Sequence, residues 1–321
     1  MGRLALCLVA VVGALVIAPL ALADGPSYVV QGGAGVATPG GSTHWVTVSD
    51  GTRGTLLEKI TAGGTVDYWI RFKGAWGTPV LGQGPQAGQG ISHDGRTLVL
   101  ESTPGPPYAA PSKFLVVNLR RMRAVRTIVL HGYFSFDALS PDASRMYVIE
   151  YTHSGDVSHY IVRAFDLRTH RLLPGKIVDR TDDEKTMAGY AMTRTTSVGG
   201  RWVYTLYQKP SGAGFVHALD TVGGVAHCID LPPNHGLYNI VLSMRDGGRT
   251  LALRWRSGRP WLDVSVGTWQ ISSPASDGFP WVWVGAGIGG ALALLAAGVL
   301  LLRRRRGKEL EQHPGQELGL A

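Results

Sequence analysis

The chain has 321 residues, of which 45% are hydrophobic and 17% are charged, and this composition excludes an intrinsically disordered chain. Its 44 glycines and 18 prolines are typical of a globular protein rich in turns. The formal net charge is +8, but five basic residues lie within residues 303–308, and residues 24–279 contain 25 basic and 20 acidic residues. Because nucleic-acid binding requires a dense basic patch, we predict no nucleic-acid partner.

Residues 1–23 have the pattern of a secretory signal peptide. Arg3 precedes an apolar run, and Ala21-Leu22-Ala23 supplies the small residues of a cleavage site before Asp24. The alternative is an uncleaved amino-terminal anchor, although the apolar run is short for a membrane span. We therefore predict an exported chain that begins at residue 24.

Residues 280–302 form an apolar stretch of 23 residues without a charge, long enough for one transmembrane helix. Two tryptophans lie at its start, and Arg303–Arg306 follow its end, which predicts a cytoplasmic tail at 303–321 and an extracytoplasmic domain at 24–279. This topology is a type I, single-pass protein of the cell membrane. Gly285 and Gly289 lie four residues apart in the span, which suggests a homodimer as a further hypothesis.

One sequence unit recurs along the extracytoplasmic part. It consists of a serine, a turn rich in Asp and Gly, a basic residue, and then an apolar strand; copies begin at Ser92, Ser140, Ser197 and Ser243, and a degenerate copy begins at Ser49. The five serines are 43, 48, 57 and 46 residues apart. Asp and Gly adopt the backbone of tight turns, so each unit predicts a hairpin followed by further short strands.

The copy at 140–148, Ser-Pro-Asp-Ala-Ser-Arg-Met-Tyr-Val, and the following Phe-Asp-Leu-Arg at 165–168 resemble bacterial WD40-like and YVTN-type β-propeller repeats. The resemblance covers about residues 45–272. It implies an all-β fold with about five propeller blades, or six if residues 28–48 add strands, and the four arginines Arg96, Arg145, Arg201 and Arg249 in equivalent places. A β-sandwich of the same strands is the alternative.

The sequence contains few groups that indicate chemistry, and we predict no cofactor. Cys228 is the one cysteine after residue 23; its apolar neighbours predict a buried thiol, and the adjacent His227 would lie on the opposite face of the strand. His153, Asp156 and His159 are weak candidate metal ligands, because a hairpin loop could bring them together. An exposed polar loop is the alternative for that segment.

We favour a non-enzymatic, surface-displayed recognition or scaffold module that binds an unknown protein or cell-surface ligand. Its binding face would be formed by the loops 103–112 and 179–196 and would expose Tyr108, Tyr190 and Arg194, the residue types that anchor protein contacts. We also expect no deep pocket lined by three or more titratable side chains. The alternatives are a hydrolase or lactonase-like enzyme, and a membrane sensor that acts through a partner.

Overall fold

A computed structural model describes residues 28–81, 89–104, 110–153, 156–179, 187–234 and 236–274. The predicted signal peptide at 1–23, the whole candidate span at 280–302 and the tail at 303–321 lie outside these residues. Within them, no helix has the length and apolar character that a membrane crossing requires. All the sheets described below belong to one compact unit that ends at Ser272.

The described residues form strands joined by turns and three short 3-10 turns, without an α-helix. The strands, in chain order, are β1 (Tyr28–Val30), β2 (Val36–Ala37), β3 (His44–Ser49), β4 (Thr55–Ile60), β5 (Val66–Phe72), β6 (Trp76–Val80), β7 (Thr97–Ser102), β8 (Ser112–Asn118), β9 (Arg123–Leu130), β10 (Phe134–Leu139), β11 (Arg145–His153), β12 (Asp156–Asp166), β13 (Arg171–Leu172), β14 (Met187–Ala188), β15 (Tyr190–Thr196), β16 (Trp202–Gln208), β17 (Gly214–Asp220), β18 (Val225–Asp230), β19 (Ile240–Arg245), β20 (Thr250–Trp255), β21 (Pro260–Ser265) and β22 (Ile271–Ser272). The prediction of an all-β fold is confirmed.

These strands form five antiparallel sheets that follow one another along the chain. The first sheet is β2–β5, the second is β6–β9 with β1 paired to β6, the third is β10–β13 with β14 on β12, the fourth is β15–β18 and the fifth is β19–β22. A β-sandwich would have two sheets, so that alternative is wrong. Residues 28–48 contribute to the first and second sheets, and no sixth sheet is found in the described part of the chain.

Each sheet packs on the next through a buried apolar cluster. The cluster between the first and second sheets centres on Leu57 and Leu98, and the cluster between the second and third on Phe114 and Met146. Two further clusters join the third sheet to the fourth and the fourth to the fifth. Alternate side chains of a strand point to opposite faces, so every internal sheet takes part in two clusters.

The repeated serine caps the turn between the first two strands of a sheet. In the third sheet, the backbone N–H of Arg145 donates to Ser140 Oγ at 3.0 Å, and Ser140 Oγ donates to Asp142 Oδ1 at 2.8 Å. Ser92 has the same two bonds, to the Thr97 N–H and to Asp94. Ser197 accepts the equivalent bond from the Trp202 N–H at 2.9 Å. The predicted hairpin chemistry is therefore confirmed in three sheets.

Two details of the predicted repeat are wrong. Directly after the third strand of a sheet, a backbone N–H donates a hydrogen bond to a backbone carbonyl of the repeat turn. In the second, fourth and fifth sheets this carbonyl belongs to Arg96, Arg201 and Arg249, but in the third sheet it belongs to Ser144. Arg145 therefore lies one residue later than the other arginines. Ser243 does not cap its turn either, because it pairs with Ala252 inside the ladder.

Candidate functional site

The first strands and the repeat turns of several sheets converge on a cavity of about 200 Å³. Its lining comes from the first four sheets in chain order: Pro39 from the first; Gln89, Gly90, Ile91 and His93 from the second; Phe136, Ala138 and Leu139 from the third; and Arg194, Thr196, Ser197, Gly200 and Val203 from the fourth. The polar part of this lining consists of an amide, an imidazole, a guanidinium and two hydroxyls, from Gln89, His93, Arg194, Thr196 and Ser197. None of the lining side chains is a carboxylate, so the cavity offers mainly hydrogen-bond donors and hydroxyls. We call this space the central cavity.

The turns that surround the central cavity approach each other closely. Gly200 has a φ of +73°, and a Cβ added there would lie 2.7 Å from the Cβ of His93. Only glycine avoids both the backbone strain and the collision. The turn of the fourth sheet can therefore lie directly against the turn of the second.

A buried ion pair lies at the wall of the central cavity. The guanidinium of Arg194 donates from Nη2 to Asp137 Oδ1, from Nη1 to the backbone carbonyl of Asp137, and from Nε to Thr205 Oγ1 at 2.8 Å. The exposed fractions of the Arg194 and Asp137 side chains are 3% and 1%. The prediction that Arg194 is an exposed anchor is therefore wrong, because β15 directs its side chain inward onto β10.

Bulges explain how two charged groups reach this position. The ladder of β10 with β11 shifts register between Phe136 and Ala138, and the ladder of β15 with β16 shifts between Ala191 and Thr193. A bulge bends a strand and redirects the side chain beside it. Asp137 lies in the first bulge, and Arg194 immediately follows the second.

Glu101 is a second buried acid next to β10. Its side chain accepts the Phe136 N–H at Oε2 over 3.1 Å, whereas Oε1 has no hydrogen-bond partner in the structure. Burial raises the pKa of Glu101 to about 8, and the bond from Phe136 only partly opposes this effect. Glu101 is therefore mainly protonated at neutral pH.

A second cavity, of about 370 Å³, brings four charged side chains together at the turns of the third sheet: Asp142, Arg145, Asp166 and Arg168. The expectation that no deep pocket would be lined by three or more titratable side chains is not tested here, because these side chains are largely exposed to solvent. Arg168 Nη2 lies 3.0 Å from Asp142 Oδ2, but the two side chains are 74% and 57% exposed. Backbone N–H groups of Ser144 and Thr169 are the main cause of the lowered pKa values of Asp142 and Asp166, respectively. The site is a solvated surface cleft that suits polar contacts.

The two histidines proposed as metal ligands lie close together. The ring centroids of His153 and His159 are 6.3 Å apart, and both side chains are exposed at the hairpin between β11 and β12. The backbone of Asp156 pairs with that of His153, but its side chain lies outside the described residues. Among the described residues, no group of three potential ligands could hold a metal ion. The metal site stays a hypothesis.

Cys228 is half-buried and packs against the cluster between the third and fourth sheets, so the prediction of a buried thiol is met only in part. Its Sγ lies 3.7 Å from Nδ1 of His217, which is opposite Cys228 in the ladder of β17 and β18. The prediction considered only His227, the neighbour in sequence. The cross-strand register, which the sequence does not specify, decides which histidine meets the thiol.

The other predicted anchors give a mixed result. Tyr190 is half-buried and packs against the cluster between the fourth and fifth sheets. Tyr108 lies outside the described residues, as do the central parts of both predicted binding loops. Sequence analysis missed Asp137 and Glu101, although each is an acid within or directly after an apolar run, a pattern that indicates a buried charged group.

Comparisons with known proteins find similarity of structure alone. No protein-family model matches the chain, and no curated protein matches it in sequence. Hydrazine synthase of Kuenenia stuttgartiensis is 15% identical, with a TM-score of 0.45, over 72% of this chain and 63% of its own. The Cps50 (Swd1) β-propeller domain of Myceliophteria thermophila is 10% identical, with a TM-score of 0.43, over 78% and 72%. The dihydro-heme d1 dehydrogenase NirN is 14% identical, with a TM-score of 0.45, over 77% and 47%.

The chain thus spans less than two thirds of the hydrazine synthase and NirN chains that it matches. The similar structures include enzymes and a β-propeller domain, so they do not distinguish a catalytic from a non-catalytic protein.

Proposed function

We propose that this protein is a non-enzymatic recognition module whose five sheets are the blades of a β-propeller. The observation that carries the proposal is the convergence of four successive sheets on the central cavity. In a propeller, the first strand of each blade lines the central channel, and β10 and β15 contribute residues to the cavity in this way. The apolar clusters between successive sheets supply the packing that such a ring needs.

The ligand that fits the central cavity best carries a carboxylate. His93, Arg194, Gln89 and the hydroxyls of Thr196 and Ser197 offer donors, and the lining contains no acid that would repel an anion. Arg194 already uses one N–H of each terminal nitrogen on Asp137, and each of these nitrogens carries a second N–H. A volume of about 200 Å³ admits an acidic side chain or a chain terminus of a partner and is small for a larger metabolite.

We place this module outside the cell, tethered by the span at 280–302, with a cytoplasmic tail at 303–321. The signal-peptide pattern and the basic residues that follow the span support this topology. The partner would then be a protein or another ligand at the cell surface. A homodimer through Gly285 and Gly289 remains compatible with the tether.

Binding of N-acetylglutamate α-methylamide to the full chain in detergent tests the proposed ligand chemistry. We expect N-acetylglutamate α-methylamide to raise the unfolding temperature and N-acetylglutamine α-methylamide to have a much smaller effect, because only the former carries a carboxylate. His93→Ala should weaken binding about tenfold, the scale of one lost hydrogen bond to a charged group. His131→Ala, at an exposed histidine outside the cavity, is the matched control.

Equal effects of the two compounds, or the same loss in both variants, would contradict the proposed site. Turnover of ester or lactone substrates by the full chain would instead favour the enzyme alternative.

A further inference from the structure

The hairpin between β20 and β21 concentrates positive charge and aromatic rings at one end of the fifth sheet. Residues 254–261 read Arg-Trp-Arg-Ser-Gly-Arg-Pro-Trp and contain no acid. Arg256 and Arg259 are exposed, and Arg254 is half-buried. In the described part of the chain, none of these three arginines forms a salt bridge. Their guanidinium groups are therefore available to an external anion.

Backbone hydrogen bonds hold this hairpin in one shape. The Gly258 N–H donates to the Trp255 carbonyl at 2.8 Å, and Gly258 has a φ of +86°, which glycine adopts without strain. The Arg256 N–H donates at 2.8 Å to the carbonyl of Asn239, in the loop before β19. That loop also carries Tyr238, whose side chain is 56% exposed. The hairpin and the tyrosine are thus parts of one connected surface.

Two half-buried tryptophans lie at the base of the hairpin. The ring centroids of Trp255 and Trp261 are 6.3 Å apart, and both rings pack against the cluster between the fourth and fifth sheets. The guanidinium carbon of Arg259 lies 5.1 Å from the ring centroid of Trp255, which is a cation–π contact. We call Tyr238, Trp255, Arg256, Arg259 and Trp261 the hairpin surface. Tryptophan and tyrosine are enriched at membrane–water interfaces, and the arginine fork matches a phosphate group.

The register of β22 directs the chain toward the same end of the fifth sheet. Ser272 pairs with Asp263 in an antiparallel ladder, so the continuation of β22 points to the end of β21 that begins at Pro260. Seven residues, 273–279, then precede the candidate span. A chain of this length extends at most about 25 Å. A span in a bilayer would therefore keep the hairpin surface within reach of the lipid headgroups.

We propose that the hairpin surface binds the anionic phospholipid headgroups of the membrane that anchors the protein. Arg256 and Arg259 donate hydrogen bonds to lipid phosphate oxygens. Tyr238 and the exposed parts of the two tryptophans lie at the level of the headgroups. This inference rests on the tether proposed above and adds to it a second contact, which fixes the orientation of the module.

The orientation matters for the central cavity. Within the fifth sheet, the repeat turn at 246–249 and the hairpin lie at opposite ends of β20. In a propeller, equivalent turns of all blades lie on one face. The repeat turns of the second and fourth sheets line the central cavity through His93, Ser197 and Gly200. Contact between the hairpin surface and the membrane therefore leaves the cavity open on the side away from the bilayer.

Hydrogen exchange of the full chain in nanodiscs, measured by mass spectrometry, tests this contact. We expect the amides of residues 255–261 to exchange severalfold more slowly in phosphatidylglycerol nanodiscs than in phosphatidylcholine nanodiscs. The amides of the repeat turn at 246–249 should exchange alike in both. High salt should reduce the difference at the hairpin, because it screens the charges.

Two double variants of equal charge separate a local site from a general effect of charge. Arg256→Glu with Arg259→Glu should abolish the difference between the two lipids, because each basic residue near an anionic surface changes binding about fivefold. Arg120→Glu with Arg121→Glu is the matched control. It changes the net charge equally, at two exposed arginines that follow β8 at the repeat-turn end of the second sheet. This control should retain the difference seen in the wild type.

Equal exchange of the hairpin in the two lipids, or the same loss in both double variants, would overturn the proposal. A chain that does not co-elute with nanodiscs would contradict the tether and, with it, this contact. Neither result would alter binding of a carboxylate in the central cavity, so the two proposals can fail separately.

Discussion

The same strands form both faces of the fourth sheet, but the two faces differ in the polar side chains that they bury. On the face toward the fifth sheet, β16 and β17 contribute Leu206, Val216 and Ala218 to an apolar cluster. The face toward the third sheet also has an apolar cluster, to which Val203, Tyr207 and Phe215 belong. On that face, however, Thr205 and His217 lie within hydrogen-bonding distance of Arg194 and Cys228. Alternation along the strands thus separates a mainly apolar interface from one that mixes apolar and polar side chains.

The difference indicates where stability and function lie. The apolar interface removes hydrocarbon from water and leaves few polar groups to satisfy. The mixed interface leaves Asp137 Oδ2 and His217 Nε2 buried without a hydrogen-bond partner in the structure, and on the opposite face the hydroxyl of Tyr204 is buried in the same way. Each such atom costs free energy. Titratable groups in perturbed surroundings are frequent at functional sites, so we locate binding on the side of the third sheet, where Asp137 and His217 lie.

The largest expected effect comes from breaking the buried ion pair. Arg194→Met leaves the carboxylate of Asp137 buried without its partner, and it should lower the free energy of unfolding by about 3–5 kcal/mol in a urea titration. The double variant Asp137→Leu with Arg194→Met removes both charges and should recover most of this loss. If the single variant is as stable as the wild type, the pair is not buried as described.

The apolar interface should respond to loss of volume alone. Leu253→Ala, at a fully buried position of the fifth sheet, should cost about 3 kcal/mol because it leaves a cavity. Val241→Ala, at a position 41% exposed on the same sheet, should change stability by less than about 0.5 kcal/mol. The same urea titration measures both variants. An equal loss of stability in the two variants would contradict the assignment of Leu253 to the buried interface.

The pH dependence of stability should identify Glu101. In the unfolded chain its carboxyl ionises near its ordinary pKa of 4.5, whereas the folded protein retains the proton to about pH 8. The unfolded state therefore binds fewer protons between these values, and the free energy of unfolding falls as the pH rises. Glu101→Gln should remove about 2 kcal/mol of this fall between pH 6.5 and 8, at about 1.4 kcal/mol for each pKa unit.

His217 has the opposite effect at lower pH. Its pKa lies near 4 in the folded protein and near 6.5 in the unfolded chain, so its contribution to stability is lost as the pH falls through this range. The two groups oppose each other between pH 4.5 and 6.5, and the interval above pH 6.5 isolates Glu101. A wild type and Glu101→Gln with parallel pH profiles above pH 6.5 would show that Glu101 is ionised in the folded protein.

The smallest expected effect concerns the repeat turn. Ser140→Ala removes a buried hydroxyl that accepts from the Arg145 N–H and donates to Asp142, and it should cost about 1 kcal/mol. Ser257→Ala, at an exposed serine in the turn between β20 and β21, should have no measurable effect on the unfolding midpoint. A similar cost in both variants would mean that the cap does not distinguish the repeat serine from other turn serines.

The fold was more predictable than the site, for a physical reason. The Ser-Pro-Asp turn at 140–142 and the apolar strand after it are local patterns, and local patterns determine hairpins. Asp137 and Arg194 are 57 residues apart and meet only because two bulged strands of neighbouring sheets pack together. His217 meets Cys228 through the register of a ladder, and a shift of one residue would have directed it to the other face.

The central claim is that sheets from along the chain converge to form a cavity for a carboxylate. A crystal structure of the full chain with N-acetylglutamate α-methylamide tests it most directly. The account predicts the side-chain carboxylate of the ligand within hydrogen-bond distance of His93 and of the terminal nitrogens of Arg194, with the Arg194–Asp137 pair intact. An empty central cavity with the ligand bound in the cleft at Asp142 and Arg168, or no bound ligand at saturating concentration, would contradict it.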